Sequence, residues 1–468
     1  MGRISMFSNE FRPTLQQRAL YYLRVLVISL FMIWVPLCLF YGAVYKRTTF
    51  AHDVVLKVVD FDNGLIGAQI SQTLLMQNTQ YQGIERENRP VWRQSIGEFG
   101  SADEINKWVR LHGWGALAIN AGASVKLEQA TQGTNSTPYD PKQLLTFFIS
   151  SGHHPIMYQS IDAAATLDIG KAIGGFAVGM LQNRPAFGQL SVGQLAQLVT
   201  QPVAYQTVDV APYTFGIAPV VYLFGFLLGT LMTVGAMIKW KMTTFVFFLK
   251  TKHHHIWLAS MLLFLIWSIC FGMYAALAMA AFEGPGYKQN ALPFTVGRFF
   301  SIWGTAAMTI MANGLWLCNW YILLPPELLG LVSLMTALPN TVSTLVIAKL
   351  APHFYRWFHV LPFYNGAMLY RYILSGAFPH IGWVAIVLGD ICAMSLVLFV
   401  TTWVRQVTVL LGIADVAGWL RGNMFFHSSV PYYKEQKRKA SASVFARSLS
   451  IMDSVNDDAS LREGNLGV

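Results

Sequence analysis

The chain has 468 residues, of which 54% are apolar and only 12% are charged. Soluble globular domains carry about 25% charged residues, so this composition excludes a wholly soluble protein and is typical of one with several membrane segments. Much of the net charge of +10 lies beside apolar segments, where attraction to anionic lipid explains it without a nucleic-acid partner.

The sequence contains six long apolar segments, one before a soluble stretch and five after it. They cover residues 20–45, 215–238, 256–282, 300–324, 328–350 and 381–404. A helix rises about 1.5 Å per residue and the hydrocarbon core is about 30 Å thick, so each segment is long enough to span a membrane. The sequence therefore predicts six transmembrane helices arranged one plus five.

Lys and Arg cluster before the first segment, between the second and third, and after the sixth. The positive-inside rule places all three regions in the cytosol. The predicted organisation is a cytosolic N-terminus, the first helix, an extracytosolic domain, a bundle of helices 2–6, and a cytosolic interfacial segment with a disordered Ser-rich tail. These parts cover residues 1–19, 20–45, 46–213, 214–404 and 405–468.

The insert between helices 1 and 2 has a mixed α/β pattern. β-branched and apolar runs predict strands at 54–61 and 114–120, and helices are predicted at 65–76, 166–181 and 192–200. Asn135 begins an Asn-Ser-Thr glycosylation sequon in a polar loop at 133–141. The predicted fold class is an α-helical polytopic membrane protein with an α/β extracytosolic domain inserted after helix 1.

Residues 351–380, before the last segment, are aromatic and interrupted by Pro and Gly. Amphipathic aromatic residues favour the membrane–water boundary. This composition favours an interfacial or re-entrant element, and a seventh crossing is the alternative.

Motifs for catalysis, a cofactor or a metal are weak. Residues 113–118 match a Gly-x-Gly-x-x-Ala dinucleotide pattern, but they lead into a predicted strand rather than a helix. Asp60 and Asp62 end a predicted strand, where aspartate commonly stabilises a turn; a paired acid site is the alternative. Neighbouring histidines at 153–154 and 253–255 point in different directions, and the triplet is interpreted as an interfacial loop. We expect no enzyme activity, cofactor or metal site.

Polar residues inside predicted transmembrane helices are more informative, because burying them in lipid is costly. Asp390 lies in helix 6, Asn313 and Asn319 in helix 4, and Asn340 in helix 5. They either line a translocation path or proton relay, or they form hydrogen bonds between helices. Gly225 and Gly229 in helix 2 have the spacing of a close helix-packing pair.

The C-terminal tail is polar, with basic residues before Ser441 and Ser448. Phosphorylation of these serines would weaken the attraction of the tail to anionic lipid. A solvated tail without such a switch is the alternative.

Several short stretches resemble the fungal nitrosoguanidine-resistance membrane proteins, a group that shares a domain of unknown function. The stretches are Tyr-Gly-Ala-Val-Tyr-Lys-Arg at 41–47, Val-Val-Asp-Phe-Asp-Asn-Gly at 58–64, Gly-Trp-Gly-Ala-Leu-Ala-Ile-Asn-Ala at 113–121, Phe-Tyr-Arg-Trp at 354–357 and Leu-Pro-Phe-Tyr-Asn at 361–365. The resemblance covers about residues 25–410, and the layout is also similar to that of ABC-2-type permeases. The resemblance to the nitrosoguanidine-resistance proteins implies a plasma-membrane or endomembrane protein linked to chemical tolerance, and it supplies no catalytic residues.

The function expected from these features is export of, or tolerance to, toxic compounds, or lipid transport and organisation. The partners would be the lipid bilayer and an amphipathic small molecule or lipid, with a homo-oligomer left open. The alternative is a non-transporting scaffold or receptor whose extracytosolic domain binds a partner. The plasma membrane is the first expectation for location, and an endomembrane the second.

Overall fold

A computed structural model describes residues 51–133, 139–182, 192–213, 252–283, 294–323, 329–347, 350–378 and 381–410, with scattered helical positions between 23 and 43 and between 223 and 236. The chain divides into two compact units, residues 1–28 with 408–468, and residues 29–407. Of the first unit only a few helical positions are described, so the fold presented below is that of the second.

The described part is mostly helical and contains one small sheet. The strands are β1 (Val55–Asp60), β2 (Val91–Gln94), β3 (Gly115–Ile119), β4 (Leu145–Ile149) and β5 (Tyr205–Asp209). The helices around the sheet are α1 (Leu65–Gln80), α2 (Ala102–Leu111), α3 (Ala123–Gln132), α4 (Pro155–Gln182) and α5 (Val192–Thr200). The later helices are α6 (His253–Glu283), α7 (Val296–Leu323), α8 (Leu329–Leu345), α9 (Pro362–Ser375) and α10 (Ile381–Leu410).

The sheet has the strand order β2-β1-β3-β4-β5. β1 is parallel to β2 and to β3, β3 is antiparallel to β4, and β4 is parallel to β5. Consequently β1, β2 and β3 begin at the same edge at which β4 and β5 end. This edge contacts the later helices through the three-ten turn Ser151–His153 after β4, because the His153 carbonyl lies 3.5 Å from Arg371 Nη1 of α9.

The two central strands, β3 and β4, are buried along their whole length. Their sequences, Gly-Ala-Leu-Ala-Ile and Leu-Thr-Phe-Phe-Ile, are almost continuously apolar, as expected for strands that are covered on both faces. One face packs Phe147 against residues of α1 and α4, and the other packs Phe148 against Val109 of α2. Full burial of each large apolar side chain stabilises the fold by about 1.5–3 kcal/mol.

Three described helices are long and apolar enough to cross a membrane by length and composition: Tyr158–Gln182, His253–Ala281 and Gly382–Val404. The first lies in α4, which packs Ile161, Ala165 and Phe176 into the core of the sheet. Its Asp168 is almost fully buried and accepts hydrogen bonds from Trp92 Nε1 at 3.1 Å, Tyr81 Oη at 3.2 Å and the Arg89 guanidinium. This helix is therefore part of the sheet layer.

The structure confirms the strands predicted at 54–61 and 114–120 and the helices at 65–76, 166–181 and 192–200, although α4 begins 11 residues earlier than predicted. Strands β2, β4 and β5 and helices α2 and α3 were not predicted. The interpretation of His253–His255 as a loop is wrong, because these residues form the first turn of α6.

The segments predicted at 300–324 and 328–350 form α7 and α8. Serine, threonine and asparagine residues lower the hydropathy of α7, and α8 has only 17 residues, so neither is among the three long apolar helices. The six-span prediction is thus supported only at the coarser level of a membrane protein.

Candidate functional site: a buried polar seam

Helix α7 carries a polar residue at every fourth position along one face: Ser301, Thr305, Thr309 and Asn313. Residues four apart lie above one another on a helix, so these side chains form a stripe. Ser301 is exposed at one end, whereas the other three are at most 4% exposed. Because buried polar side chains need hydrogen-bond partners, the neighbours of this stripe decide its role.

Helix α8 presents a second polar stripe made of Ser333, Thr336, Asn340, Ser343 and Thr344. All five side chains are buried. We call the three buried residues of the α7 stripe, the α8 stripe and Thr230, which lies in the helical positions before α6, the polar seam.

Hydrogen bonds between side chains join three helical segments across this seam. Asn313 Nδ2 donates to Thr230 Oγ1 at 2.8 Å, and Asn340 Nδ2 approaches Asn313 Oδ1 at 3.4 Å. Asn340 Oδ1 also accepts a hydrogen bond from the Phe363 backbone N–H at 3.3 Å, which ties the start of α9 to the seam. Two of the four predicted polar residues, Asn313 and Asn340, are thus brought together.

The hydroxyl groups of the seam bond to the backbone of their own helices. Thr305 Oγ1 donates to the Ser301 carbonyl and Thr309 Oγ1 to the Thr305 carbonyl, both at 2.8 Å. Such bonds satisfy a buried hydroxyl at little cost and can be exchanged for a bond to another group. In the described arrangement the seam amides therefore bond across helices, while these hydroxyls bond to their own helix backbone.

Asn319 belongs to a separate contact. Its Oδ1 accepts a hydrogen bond from Thr401 Oγ1 at 3.1 Å, and its Nδ2 donates to the carbonyls of Leu315 at 3.0 Å and Met394 at 3.2 Å. These bonds join α7 to α10. Asn319 therefore satisfies the interhelical interpretation and lies outside the seam.

Asp390 on α10 is also apart from the seam. It is partly buried, and its Oδ2 atom is buried without a hydrogen-bond partner among the described residues. Of the four predicted polar residues, it is the one for which the described structure offers no polar contact.

A joint between the sheet and the helices lies at the end of the seam, and the sequence analysis missed it. Arg371 of α9 is 2% exposed, and its Nη2 donates to the Thr344 carbonyl at 2.8 Å. The sheet side contributes His153, which is fully buried, stacks on Phe378 at 4.1 Å between ring centroids and contacts the Arg110 carbonyl through Nε2 at 3.1 Å. Arg110 Nε in turn donates to the Gly376 carbonyl, at the end of α9, at 3.2 Å.

The sequence signal for this joint is an arginine within an otherwise apolar stretch, Met-Leu-Tyr-Arg-Tyr-Ile-Leu. No role was predicted for this arginine. The described part of 351–380 forms a three-ten helix, His353–Val360, followed by α9, which is buried over most of its length.

Asp60 and Asp62 have structural roles. Asp60 Oδ1 accepts hydrogen bonds from the backbone N–H groups of Asp62 at 2.9 Å and Asn63 at 3.1 Å. Asp62 Oδ1 accepts from the Ser124 N–H at 3.0 Å, and Ser124 Oγ accepts from the Ile66 N–H at 3.0 Å. Asp62, just before α1, thus caps the start of α3, and Ser124, at the start of α3, caps the start of α1. The turn interpretation agrees with these bonds.

The remaining predicted features carry less information. Residues 113–118 lead into β3 rather than into a helix, as expected for a turn. Within the described residues, no group of three or more His, Cys, Asp or Glu side chains is arranged to hold a metal ion. Asn135, Ser441 and Ser448 lie outside the described residues.

Gly229 approaches α7 closely, since a Cβ atom there would lie 2.7 Å from Ile310 Cδ1. A Cβ at Gly225 would lie 3.5 Å from Ala275 on α6, an ordinary contact. The close-packing prediction for this pair therefore fits Gly229 better than Gly225.

A small cleft lies beside the buried Asp168, in the sheet layer. It encloses about 240 Å³ of empty space, including the part open to solvent, and its lining includes Tyr81, Arg86 and Arg89. Arg89 is paired with Asp168 and lies over the Tyr81 ring at 4.0 Å. These contacts stabilise the position of α4, and the cleft has no polar connection to the seam among the described contacts.

Comparison with known proteins gives one match. Residues 25–397 match the model of a family described as "Protein of unknown function (DUF3533)". No curated protein and no solved structure matches the chain. Because the matched region covers well over half of the chain, the protein belongs to the DUF3533 family.

Proposed function

We propose that this protein is a multi-pass membrane protein of ABC-2 permease-like layout that exports toxic amphipathic compounds or moves and organises lipids. The long apolar helices support membrane insertion, and the resemblance to the fungal nitrosoguanidine-resistance proteins supports the link to chemical tolerance. The proposed layout has six spans, cytosolic ends and the sheet layer outside the cytosol, with the plasma membrane as the first location.

The buried polar seam is the observation that carries the proposal. Polar side chains in membrane helices are costly unless they are paired, and they often mark the path of a substrate. The seam combines hydroxyl and amide groups from three helical segments with apolar surroundings. Uncharged polar groups of this kind can exchange their internal hydrogen bonds for bonds to a polar head group, while an apolar tail contacts the surrounding helices.

Reconstitution of the full chain into liposomes tests the proposal. We expect the protein to accelerate the crossing of a fluorescent amphipathic compound or lipid. Asn313→Leu and Asn340→Leu should lower the rate, whereas Ser301→Ala, at the exposed end of the stripe, should leave it unchanged. Equal rates in protein-containing and protein-free liposomes for a panel of such probes would contradict transport.

A second function, a non-transporting scaffold or receptor, is favoured by a different observation. The seam amides and hydroxyls already have hydrogen-bond partners in the described arrangement, as expected for groups with a purely structural role. In cells, a comparison of drug and lipid efflux between deletion and wild-type strains separates the two. A scaffold predicts unchanged efflux and a partner that copurifies through the sheet layer.

A further inference from the structure

Arg371 is a permanent charge in a buried position. Its side chain is 2% exposed and lies between α8, α9 and the three-ten turn Ser151–His153 of the sheet layer. No ion pair with an acidic side chain is found for it within the described residues. A guanidinium does not lose its proton in proteins, so Arg371 cannot avoid the cost of burial by becoming neutral.

The partners of Arg371 are backbone carbonyls and a thioether. Nη2 donates to the Thr344 carbonyl at 2.8 Å, while Nη1 lies 3.5 Å from the His153 carbonyl and 3.4 Å from Met368 Sδ. Nε is buried and has no hydrogen-bond partner in the described part of the chain. The donors are thus only partly satisfied, and neutral acceptors occupy positions suited to the oxygens of an anion.

No neighbouring charged group forms an ion pair with Arg371 in the described part of the chain. Arg110, a second guanidinium, donates to the Gly376 carbonyl at the same joint. Asp209, the last residue of β5, lies beside the turn Ser151–His153, and its carboxylate accepts hydrogen bonds from Ser151 N at 3.2 Å, Ser151 Oγ at 2.5 Å and Ala211 N at 3.2 Å. Thr344, which accepts from Arg371, belongs to the uncharged seam. The seam therefore ends at a cation that has no ion-pair partner among the described residues.

We propose that Arg371 is the head-group site of the polar seam and that the molecule handled there is an amphipath with a single oxyanion head, a phosphate, sulfonate or carboxylate. The inference rests on the proposed function and specifies its substrate class. On binding, the oxyanion replaces the carbonyls of Thr344 and His153 as the acceptor for the guanidinium, and the apolar tail lies along the helices. A membrane lipid and a soluble organic anion share this chemistry.

Equilibrium binding to the purified full chain tests the proposal. The probes are dodecyl phosphate, inorganic phosphate and an uncharged alkyl maltoside, and binding is measured by intrinsic tryptophan fluorescence. We expect wild type to bind dodecyl phosphate at least ~10-fold more tightly than either comparison probe, since charge-assisted hydrogen bonds and tail burial both contribute. Equal affinity for inorganic phosphate would overturn the amphipathic substrate class.

Variants assign the binding to Arg371. Arg371→Gln should lose at least ~10-fold in affinity for dodecyl phosphate, and Arg371→Lys should bind with intermediate affinity because it keeps the charge but not the planar fork. Arg356→Gln, which removes an exposed arginine of the three-ten helix His353–Val360, is the matched control and should bind like wild type. Wild-type affinity in Arg371→Gln would overturn the site.

A measurement on wild type alone guards against a variant that fails to fold. A photoreactive alkyl phosphate should label peptides that contain residues 361–376 or 340–345, and excess dodecyl phosphate should suppress this labelling. Labelling confined to other regions would overturn the proposal. Competition by phosphatidic acid in nanodiscs would identify a lipid as the source, and its failure to compete would identify a soluble amphipath; each result supports the shared chemistry.

The binding test of the anion site and the transport test of the proposed function can fail independently of each other. Binding is measured at equilibrium and needs no transport. Absence of binding overturns the anion site while leaving transport of an uncharged amphipath open, whereas absence of flux in liposomes with intact binding contradicts transport and leaves the anion site supported.

Discussion

At the scale of single residues, the buried polar side chains differ in what they contact. Asn313 and Asn340 join α7 and α8, Asn319 joins α7 and α10, and Asp390 has no polar contact among the described residues. These differences give each residue a distinct expected response to substitution.

Asn313→Ala should destabilise the protein by about 1–3 kcal/mol, because it leaves the Thr230 hydroxyl and the Asn340 amide without a side-chain partner. A double-mutant cycle with Thr230→Ala should give a coupling free energy near ~0.6 kcal/mol, the average for such bonds in a membrane protein. Thermal unfolding of the purified chain in detergent measures both quantities. As a control, Ser301→Ala should change the free energy of unfolding by less than about 0.5 kcal/mol. A coupling free energy of zero would contradict the hydrogen bond between Asn313 and Thr230.

Asp390→Asn should retain the tolerance phenotype at normal protein abundance, since the carboxylate is not connected to the polar seam by any described contact. Survival of cells exposed to a toxic amphipath provides the measurement, with immunoblotting to check abundance. If the asparagine variant is abundant but inactive, ionisation of Asp390 is required and a proton relay through α10 would have to replace this interpretation.

At the scale of helices and strands, close approaches between elements depend on small residues. A Cβ at Gly366 of α9 would lie 2.4 Å from Thr309 Oγ1 of α7, and one at Gly67 of α1 would lie 2.1 Å from the Asp60 carboxylate. The absence of a side chain at both glycines therefore allows these neighbouring elements to approach closely. By contrast, a Cβ at Gly382 on α10 would meet no atom of the described residues within 4 Å.

Gly366→Ala should destabilise the protein by about 1–3 kcal/mol, because α9 must move away from α7 or Thr309 must change its rotamer. The matched substitution Gly382→Ala should be neutral or stabilising by up to about 1 kcal/mol, since alanine favours a helix and meets open space. Differential scanning fluorimetry of the two purified variants compares them directly. Equal melting temperatures would contradict the close packing of α9 on α7.

At the scale of the whole molecule, the direction of the strands connects the sheet layer to the helices. β1, β2 and β3 begin, and β4 and β5 end, at the edge where Arg110, His153 and Arg371 meet. A movement of the sheet layer would therefore be transmitted directly to α9 and to the end of the seam. The proposed topology places this joint at the outer surface of the membrane.

Protease added to sealed, right-side-out cells should spare a tag at the C-terminus, because the clusters of Lys and Arg predict cytosolic ends. Enzymatic deglycosylation should increase the mobility of wild type, and Asn135→Gln should remove that shift. A tag that is digested from outside would instead require an odd number of crossings.

The purified chain by itself should lack ATPase activity. It contains no Gly-x-x-x-x-Gly-Lys-Ser/Thr phosphate-binding loop, although ABC-2-type permeases work with an ATP-binding subunit. Phosphate release from the chain in liposomes measures the activity, with an empty-vesicle control. Mild-detergent purification tests the coupling further, since stoichiometric recovery of an ATP-binding protein would assign ATP-driven motion to a partner.

The sequence by itself determined the long apolar segments that are typical of a membrane protein, the part of the chain that contains the sheet, and several elements of that sheet. Long apolar runs, the strand at 54–61 and the turn at Asp60 are local signals, because hydropathy and backbone preference act over neighbouring residues. β4 and β5 were missed although β4 is apolar, since a short run without a clear period does not distinguish a buried strand from a helix. The short strand β2 was missed for the same reason.

Only the tertiary structure decided which polar residues meet. Asn313 and Asn340 are separated by 27 residues and Arg371 and His153 by 218, and no local pattern links such pairs. The sequence marks Asn313, Asn319, Asn340 and Asp390 as costly to bury, because polar and ionisable side chains lose their contacts with water wherever they are buried. Whether that cost is offset depends on the partner that packing brings within hydrogen-bonding distance. The three amides have such partners, whereas Asp390 Oδ2 and Arg371 Nε have none among the described residues.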